Sequence, residues 1–153
     1  FLADEIEQPV LVQGDRSRTA LLEDFKRRPS VLFATASFWE GVDVPGDNLS
    51  LVVIDKLPFA SPGDPLVRAR IDYIREQDGD PFRAFQLPEA AITLKQGFGL
   101  IRHRTDRGIV AIMDRRLLDR SYGRLLINTL PRCRRTQSME TLGRWWMTKA
   151  PVP

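Results

Sequence analysis

The 153-residue chain holds one cysteine and one histidine, and each scarcity removes a class of chemistry. A single thiol, Cys133, forms no internal disulfide and cannot supply the thiolates of an iron-sulfur cluster, so no such cluster is expected in this chain. With His103 as the sole imidazole, neither a histidine-rich metal site nor a histidine-based triad is supported. No apolar run approaches the roughly 18 residues of a membrane span. The start, Phe1-Leu2-Ala3-Asp4-Glu5, lacks the basic opening of a secretory signal, and the expectation is a cytoplasmic protein with no membrane partner. The phosphate cradle Gly-x4-Gly-Lys-Ser/Thr, whose amides and lysine hold nucleotide phosphates, is missing too. Asp55 is followed by Lys56 rather than by a second acid, so no Asp-Glu pair stands ready there to hold magnesium and polarise water. By itself this chain is not expected to hydrolyse a nucleoside triphosphate.

What is present is the composition of a folded domain: 42% hydrophobic and 28% charged residues. The length suits one domain over residues 1–153, with no internal repeat, low-complexity stretch or linker. Net charge is only +3, but it is unevenly spread. From Arg102 to Arg135 ten arginines stand against three acids, Asp106, Asp114 and Asp119. Such a stretch attracts the phosphates of nucleotide or nucleic acid, or forms a solvated basic surface.

Hydrophobic periodicity predicts alternating strands and helices. Val10-Leu11-Val12 reads as a buried strand closed by Gln13-Gly14-Asp15, and Thr19 reads as the cap of a helix bearing Ala20, Leu21, Leu22 and Phe25 on one face. Val31 to Phe33 and Leu51 to Ile54 read as further strands. Pro65 suits the first turn of a helix that Asp78-Gly79-Asp80-Pro81 breaks. A second long helix is predicted from Pro88-Glu89 through Gln96, then a strand from Ile109 to Met113. Tyr122 to Leu130 and Glu140 to Trp146 read as helices, with Trp145 and Trp146 docking the last one. This order implies an α/β fold, a largely parallel sheet covered by helices on both faces.

The densest signal is Phe33-Ala34-Thr35-Ala36-Ser37-Phe38-Trp39-Glu40-Gly41-Val42-Asp43-Val44-Pro45-Gly46. An apolar strand empties into small hydroxylated residues and an acid-glycine-acid cluster, at the strand end where open α/β sheets bind ligands. Gly41 lets backbone approach a ligand closely. Val53-Ile54-Asp55-Lys56-Leu57-Pro58-Phe59 follows, and then Leu94-Lys95-Gln96-Gly97-Phe98-Gly99-Leu100-Ile101-Arg102. In this order the three segments resemble motif V, the strand after it, and motif VI in the second motor lobe of DinG-like, XPD-type superfamily 2 DNA helicases.

The resemblance implies a RecA-like, P-loop-NTPase-type lobe whose partner in cis, an N-terminal first motor lobe, is absent from this chain and carries the magnesium ligands. ATP would bind between the lobes, and the enzyme would translocate 5′ to 3′ on single-stranded DNA in repair or replication. By the same resemblance, Glu40, Gly41 and Asp43 face ATP, and Thr35, Ser37, Trp39 and Lys56 face DNA. Gln96 and Arg102 would act at the γ-phosphate, where a guanidinium offers a charged, planar fork to phosphate oxygens. Ordinary loop capping by the acids and packing by Trp39 are the plainer alternatives. Arg115 or Arg116, at a strand end, could also approach phosphate.

Motif VI departs from the family pattern Gln-Gly-x-Gly-Arg-Leu-Ile-Arg, because Gly99 is followed directly by Leu100. On a continuous helix, Gln96 then has Leu100 at i+4 and His103 at i+7, with Arg102 at i+6, about 100° off that face. Either the loss is confined to this copy of the sequence, or the chain is a variant with impaired ATP turnover; a local slip at Gly97 and Gly99 would let Arg102 recover the second arginine's role. A different class of function, a non-catalytic nucleic-acid-binding module, also fits the residues, as does a lobe within a nuclease fusion.

Overall fold

A computed structural model describes residues 6–39, 42, 44, 48–101 and 108–148. Four short strands, β1 (Val10–Val12), β2 (Val31–Phe33), β3 (Leu51–Ile54) and β4 (Ile109–Ile112), are the apolar runs anticipated from sequence. β1 pairs with β2 and β3 with β4, both parallel, in the registers Val10 to Val31 and Leu51 to Ile109. Every ladder among the described residues is therefore parallel, which requires crossover connections. Helix α1 (Arg18–Arg27) links the first pair, and α2 (Pro65–Glu76) and α3 (Leu87–Phe98) link the second. Three helices follow β4: α4 (Arg116–Asp119), α5 (Gly123–Thr129) and α6 (Met139–Met147).

The core has two apolar clusters. Leu11, Leu21, Phe38, Val42 and Val44 form one; Val52, Ile54, Leu57, Leu94 and Leu126 form the other. Half-buried Leu49 and Leu100 touch both and join the strand pairs by packing. Leu21, Leu94 and Leu126 are fully enclosed, and each contributes ~1.5–3 kcal/mol through burial. β3 alternates strictly: Val52 and Ile54 lie in the core, whereas Leu51 and Val53 are 51% and 58% exposed. One face of this strand is covered and the other is open.

Local chemistry explains several boundaries. Ser17, not Thr19, caps α1: its backbone is extended, and its hydroxyl accepts from Ala20 N at 3.3 Å while Thr19 lies inside the helix. Asp64 caps α2 through Leu66 N and Val67 N, with Pro65 in the first turn, where a missing N–H costs nothing. Asp78, at φ 54°, ends that helix, and Gly79 N bonds back to Ile74 O. Asp80 and Pro81, expected to belong to the break, instead start the next helical segment, as Asp80 accepts from Phe82 N and Arg83 N.

That segment opens with a π-helical turn, Phe82–Gln86, that runs straight into α3. Its cause is Pro88, which has no N–H for the usual bond and whose ring crowds the preceding turn. Widening by one residue, seen in the bond from Leu87 N to Phe82 O, makes room. α3 therefore begins earlier than Pro88. α6 starts where Ser138 accepts from Thr141 N at 3.1 Å, and it buries no residue fully; Trp145 is half-buried and Trp146 is 40% exposed.

Candidate functional site

Parallel pairing brings the carboxyl ends of β1 and β2 to one edge. There Gln13 Oε1 accepts from Thr35 N at 2.8 Å and from the Thr35 hydroxyl at 3.1 Å, and the Thr35 and Ser37 hydroxyls lie 2.8 Å apart. All three side chains are exposed. The chain then tightens into a 3₁₀ turn, Ala36–Trp39, whose Phe38 plugs the first cluster at 4% exposure. Arg18 steadies this turn: its guanidinium donates to Phe38 O at 3.0 Å and lies 5.4 Å from the Phe38 ring centre.

Trp39 reaches the other way and packs into the second cluster. Its ring lies against Gly97 of α3, so close that a Cβ there would sit 2.5 Å from the indole. Gly97 is buried because the indole covers it, and the neighbouring Gln96 is exposed. The structure thus brings the Thr35–Trp39 turn and the Gln96-Gly97 step of α3 together through one aromatic contact. Trp39 is half-buried in that contact.

α3 ends at Phe98, and Gly99 N bonds to Lys95 O at 2.9 Å. The helical-wheel placement of Leu100 relative to Gln96 therefore does not apply, because the helix stops before it. Leu100 is half-buried as a bridge between the two clusters. Glu40, Gly41, Asp43 and Arg102 lie outside the described residues.

Lys56 is exposed on the turn after β3. A carboxylate just past the end of β4 holds the turn: Asp114, with a side chain only 8% exposed, accepts from Leu57 N at 2.8 Å. The same carboxylate takes Arg116 N at 3.0 Å and the Arg116 guanidinium at 2.6 Å. Arg116 also covers Phe59, which packs with Phe82 and Tyr122 at centroid distances of 5.7 Å each. One acid thus ties together the ends of β3 and β4, the π turn and the start of α5. Arg116 is committed to this clip, and Arg115 is largely exposed, with Nε 3.5 Å from Asp119.

Hydrogen bonds from the Arg116 side chain hold the Asp114 carboxyl well below the usual carboxylate range; burial opposes this, and the Leu57 and Arg116 amides add to it. Asp114 in turn raises the Arg116 guanidinium. A depressed carboxyl stabilises the fold at any pH above its unfolded value near 3.9 and loses that contribution as pH falls toward its folded value. Asp114→Asn is expected to cost ~2 kcal/mol at pH 7, from lost charged hydrogen bonds. Below about pH 4 the gap to the native chain should narrow. Urea unfolding at pH 7 and pH 3 checks both.

Sequence reasoning passed over Gln13 and the role of Asp114 as a clip. Their signals were faint but present: both stand at or just after a strand's carboxyl end, and parallel pairing turns such positions into neighbours. Among the described residues no group of three or more His, Cys, Asp or Glu gathers to hold a metal ion. No helix among them is long and apolar enough to cross a membrane.

Residues 2–133 match the Helicase C-terminal domain family. The chain belongs to that family. Within it, the chain is 54% identical over 141 residues to the ATP-dependent DNA helicase YoaA of Haemophilus influenzae, covering 91% of this chain and 22% of the relative. It is 44% identical over 132 residues to the ATP-dependent helicase DinG of Mycobacterium tuberculosis, covering 85% of this chain and 20% of that protein. A third relative, the 3′-5′ exonuclease DinG of Bacillus subtilis, is 44% identical over 113 residues, which are 72% of this chain and 12% of that protein. The chain spans about a fifth of the length of the helicases it matches. As a helicase C-terminal domain, it accounts for the parallel α/β architecture and for the order of the three sequence segments.

Proposed function

We propose that this chain is the second, RecA-like motor lobe of an ATP-dependent DNA helicase that moves 5′ to 3′ on single-stranded DNA. The observation that carries the reading is the seating of the Thr35–Trp39 turn on α3 at Gly97, which couples motif V to motif VI by direct contact. In this reading ATP binds between this lobe and a first lobe elsewhere in the protein. Glu40, Gly41 and Asp43 approach the nucleotide from this side, and Gln96 and Arg102 meet the γ-phosphate.

Thr35, Ser37 and Lys56 form the DNA side, with Trp39 behind them relaying movement to α3. Carboxylates of the first lobe hold Mg²⁺, and an iron-sulfur cluster, if the whole protein carries one, lies outside this chain. Lobe closure on ATP and reopening after hydrolysis would shift the DNA grip by a step. The setting is cytoplasmic DNA repair or replication.

Strand-displacement assays with the full-length protein test this. Duplexes with a 5′ single-stranded tail should open in an ATP-dependent way, and 3′-tailed duplexes should not. Equal opening of both would refute the polarity, and opening of neither would leave the binding-module alternative in its place.

A further inference from the structure

The polar cluster at the ends of β1 and β2 holds a side-chain donor, Gln13 Nε2, with no acceptor among the described residues. Thr35 N meets the Gln13 side chain at 2.8 Å, and since a backbone N–H only donates, the atom it meets is Oε1. That contact fixes which way the amide points. The Thr35 hydroxyl lies 3.1 Å from the same Oε1 and 2.8 Å from the Ser37 hydroxyl, a contact in which either oxygen can donate. The two hydroxyls and Oε1 thus bond to one another inside the cluster.

Nε2 of Gln13 is different. It carries two hydrogens, finds no acceptor among the described residues, and belongs to an exposed side chain. Its plane is held by Thr35, and its backbone is held by the bond from Gln13 N to Phe33 O at 2.9 Å. An anchored amide donor loses little freedom on binding, which is what makes a fixed donor effective.

We propose that Gln13 is a DNA-contacting residue, donating its Nε2 hydrogens to a backbone phosphate oxygen of single-stranded DNA laid across the ends of β1 and β2. The inference rests on the reading of this edge as the DNA side. It adds a residue that the sequence motifs leave out.

Two substitutions in the full-length protein separate a donor from a mere clamp. Gln13→Glu keeps an oxygen for Thr35 and replaces the donor by a negative oxygen. Gln13→Lys removes the oxygen and restores donors. If Gln13 serves the phosphate, Gln13→Glu weakens binding of an oligothymidine about tenfold or more, while Gln13→Lys binds as well as wild type or better. Gln77→Glu, an exposed position at the end of α2, adds the same charge and sets the baseline for long-range repulsion.

A clamp with no ligand predicts the reverse order, Gln13→Glu benign and Gln13→Lys damaged, and that result overturns the proposal. So does an equal loss in Gln13→Glu and Gln77→Glu, or a raised KM for ATP with oligothymidine binding intact, which would assign the phosphate to the nucleotide. Should wild-type protein fail to bind oligothymidine at all, the reading of this edge as a DNA face falls first.

Discussion

Insertion of an arginine between Gly99 and Leu100 of the full-length protein is expected to raise single-strand-stimulated ATP turnover by about a hundredfold or more. An arginine delivered to a departing γ-phosphate is worth ~10³ to 10⁵ in rate, and the lower figure allows for imperfect placement. The site is favourable because α3 stops at Phe98 and Gly99 closes its last turn, so an added residue enters a turn and not the middle of a helix. The cost falls on Leu100, which must keep its place between the two apolar clusters. An interaction made only in the transition state lifts kcat and kcat/KM together and leaves KM for ATP nearly unchanged. Inserting alanine at the same point controls for length. If alanine and arginine give the same rate, the end of α3 is scaffolding and the gap in motif VI has no catalytic meaning.

Gly97→Ala is expected to damage both stability and coupling. Two effects oppose each other: alanine favours a helix over glycine by about 1 kcal/mol, and the added methyl meets three ring atoms of Trp39 at 2.5, 2.7 and 2.8 Å. Those atoms belong to a rigid indole held in the second cluster, so the ring cannot swing aside as a lysine tip would. Overpacking of this kind costs ~1–3 kcal/mol and outweighs the propensity gain when several contacts are involved. A thermal midpoint lower by roughly 2–6 °C is expected for the lobe. In the full-length protein, the variant should lose most of the stimulation of ATP hydrolysis by DNA while keeping its basal rate. Trp39→Leu in the same chain should restore the midpoint partly, by making room. An unchanged midpoint together with full DNA stimulation would mean that the contact carries neither packing nor signal.

Much of this architecture is legible in the sequence because strong apolar runs tolerate few alternatives. The strands at Val10, Val31, Leu51 and Ile109 appear as read, as does the helix opening at Pro65. Errors arise where two neighbouring residues compete for one role. Ser17 and Thr19 both suit a cap, and only backbone conformation decides for Ser17. The π turn before α3 follows from Pro88 meeting a helix that had already begun at Phe82, a conflict visible only once both are known to share one segment. The short α4 has too few residues for periodicity to show.

Among candidate site residues, sequence named those that resemblance marks and passed over those that geometry brings together. Thr35 and Ser37 stand where expected, at a strand end, but their link to Gln13 depends on a parallel ladder between segments 22 residues apart. Trp39 offered stacking or packing, and the structure lays its ring against Gly97. By sequence Arg116 is one of two arginines that could approach phosphate, and Asp114, two residues earlier, pairs with it. Charge counts cannot reveal such pairing, because they weigh every arginine alike.

The central claim is that this lobe answers a nucleotide held by another part of the same protein. The most direct test is steady-state ATP hydrolysis by the 153-residue chain and by the full-length protein, each with and without single-stranded DNA. The isolated chain should show no turnover above background under either condition, and the full-length protein should hydrolyse ATP with stimulation by DNA. Sustained hydrolysis by the isolated chain would contradict the account.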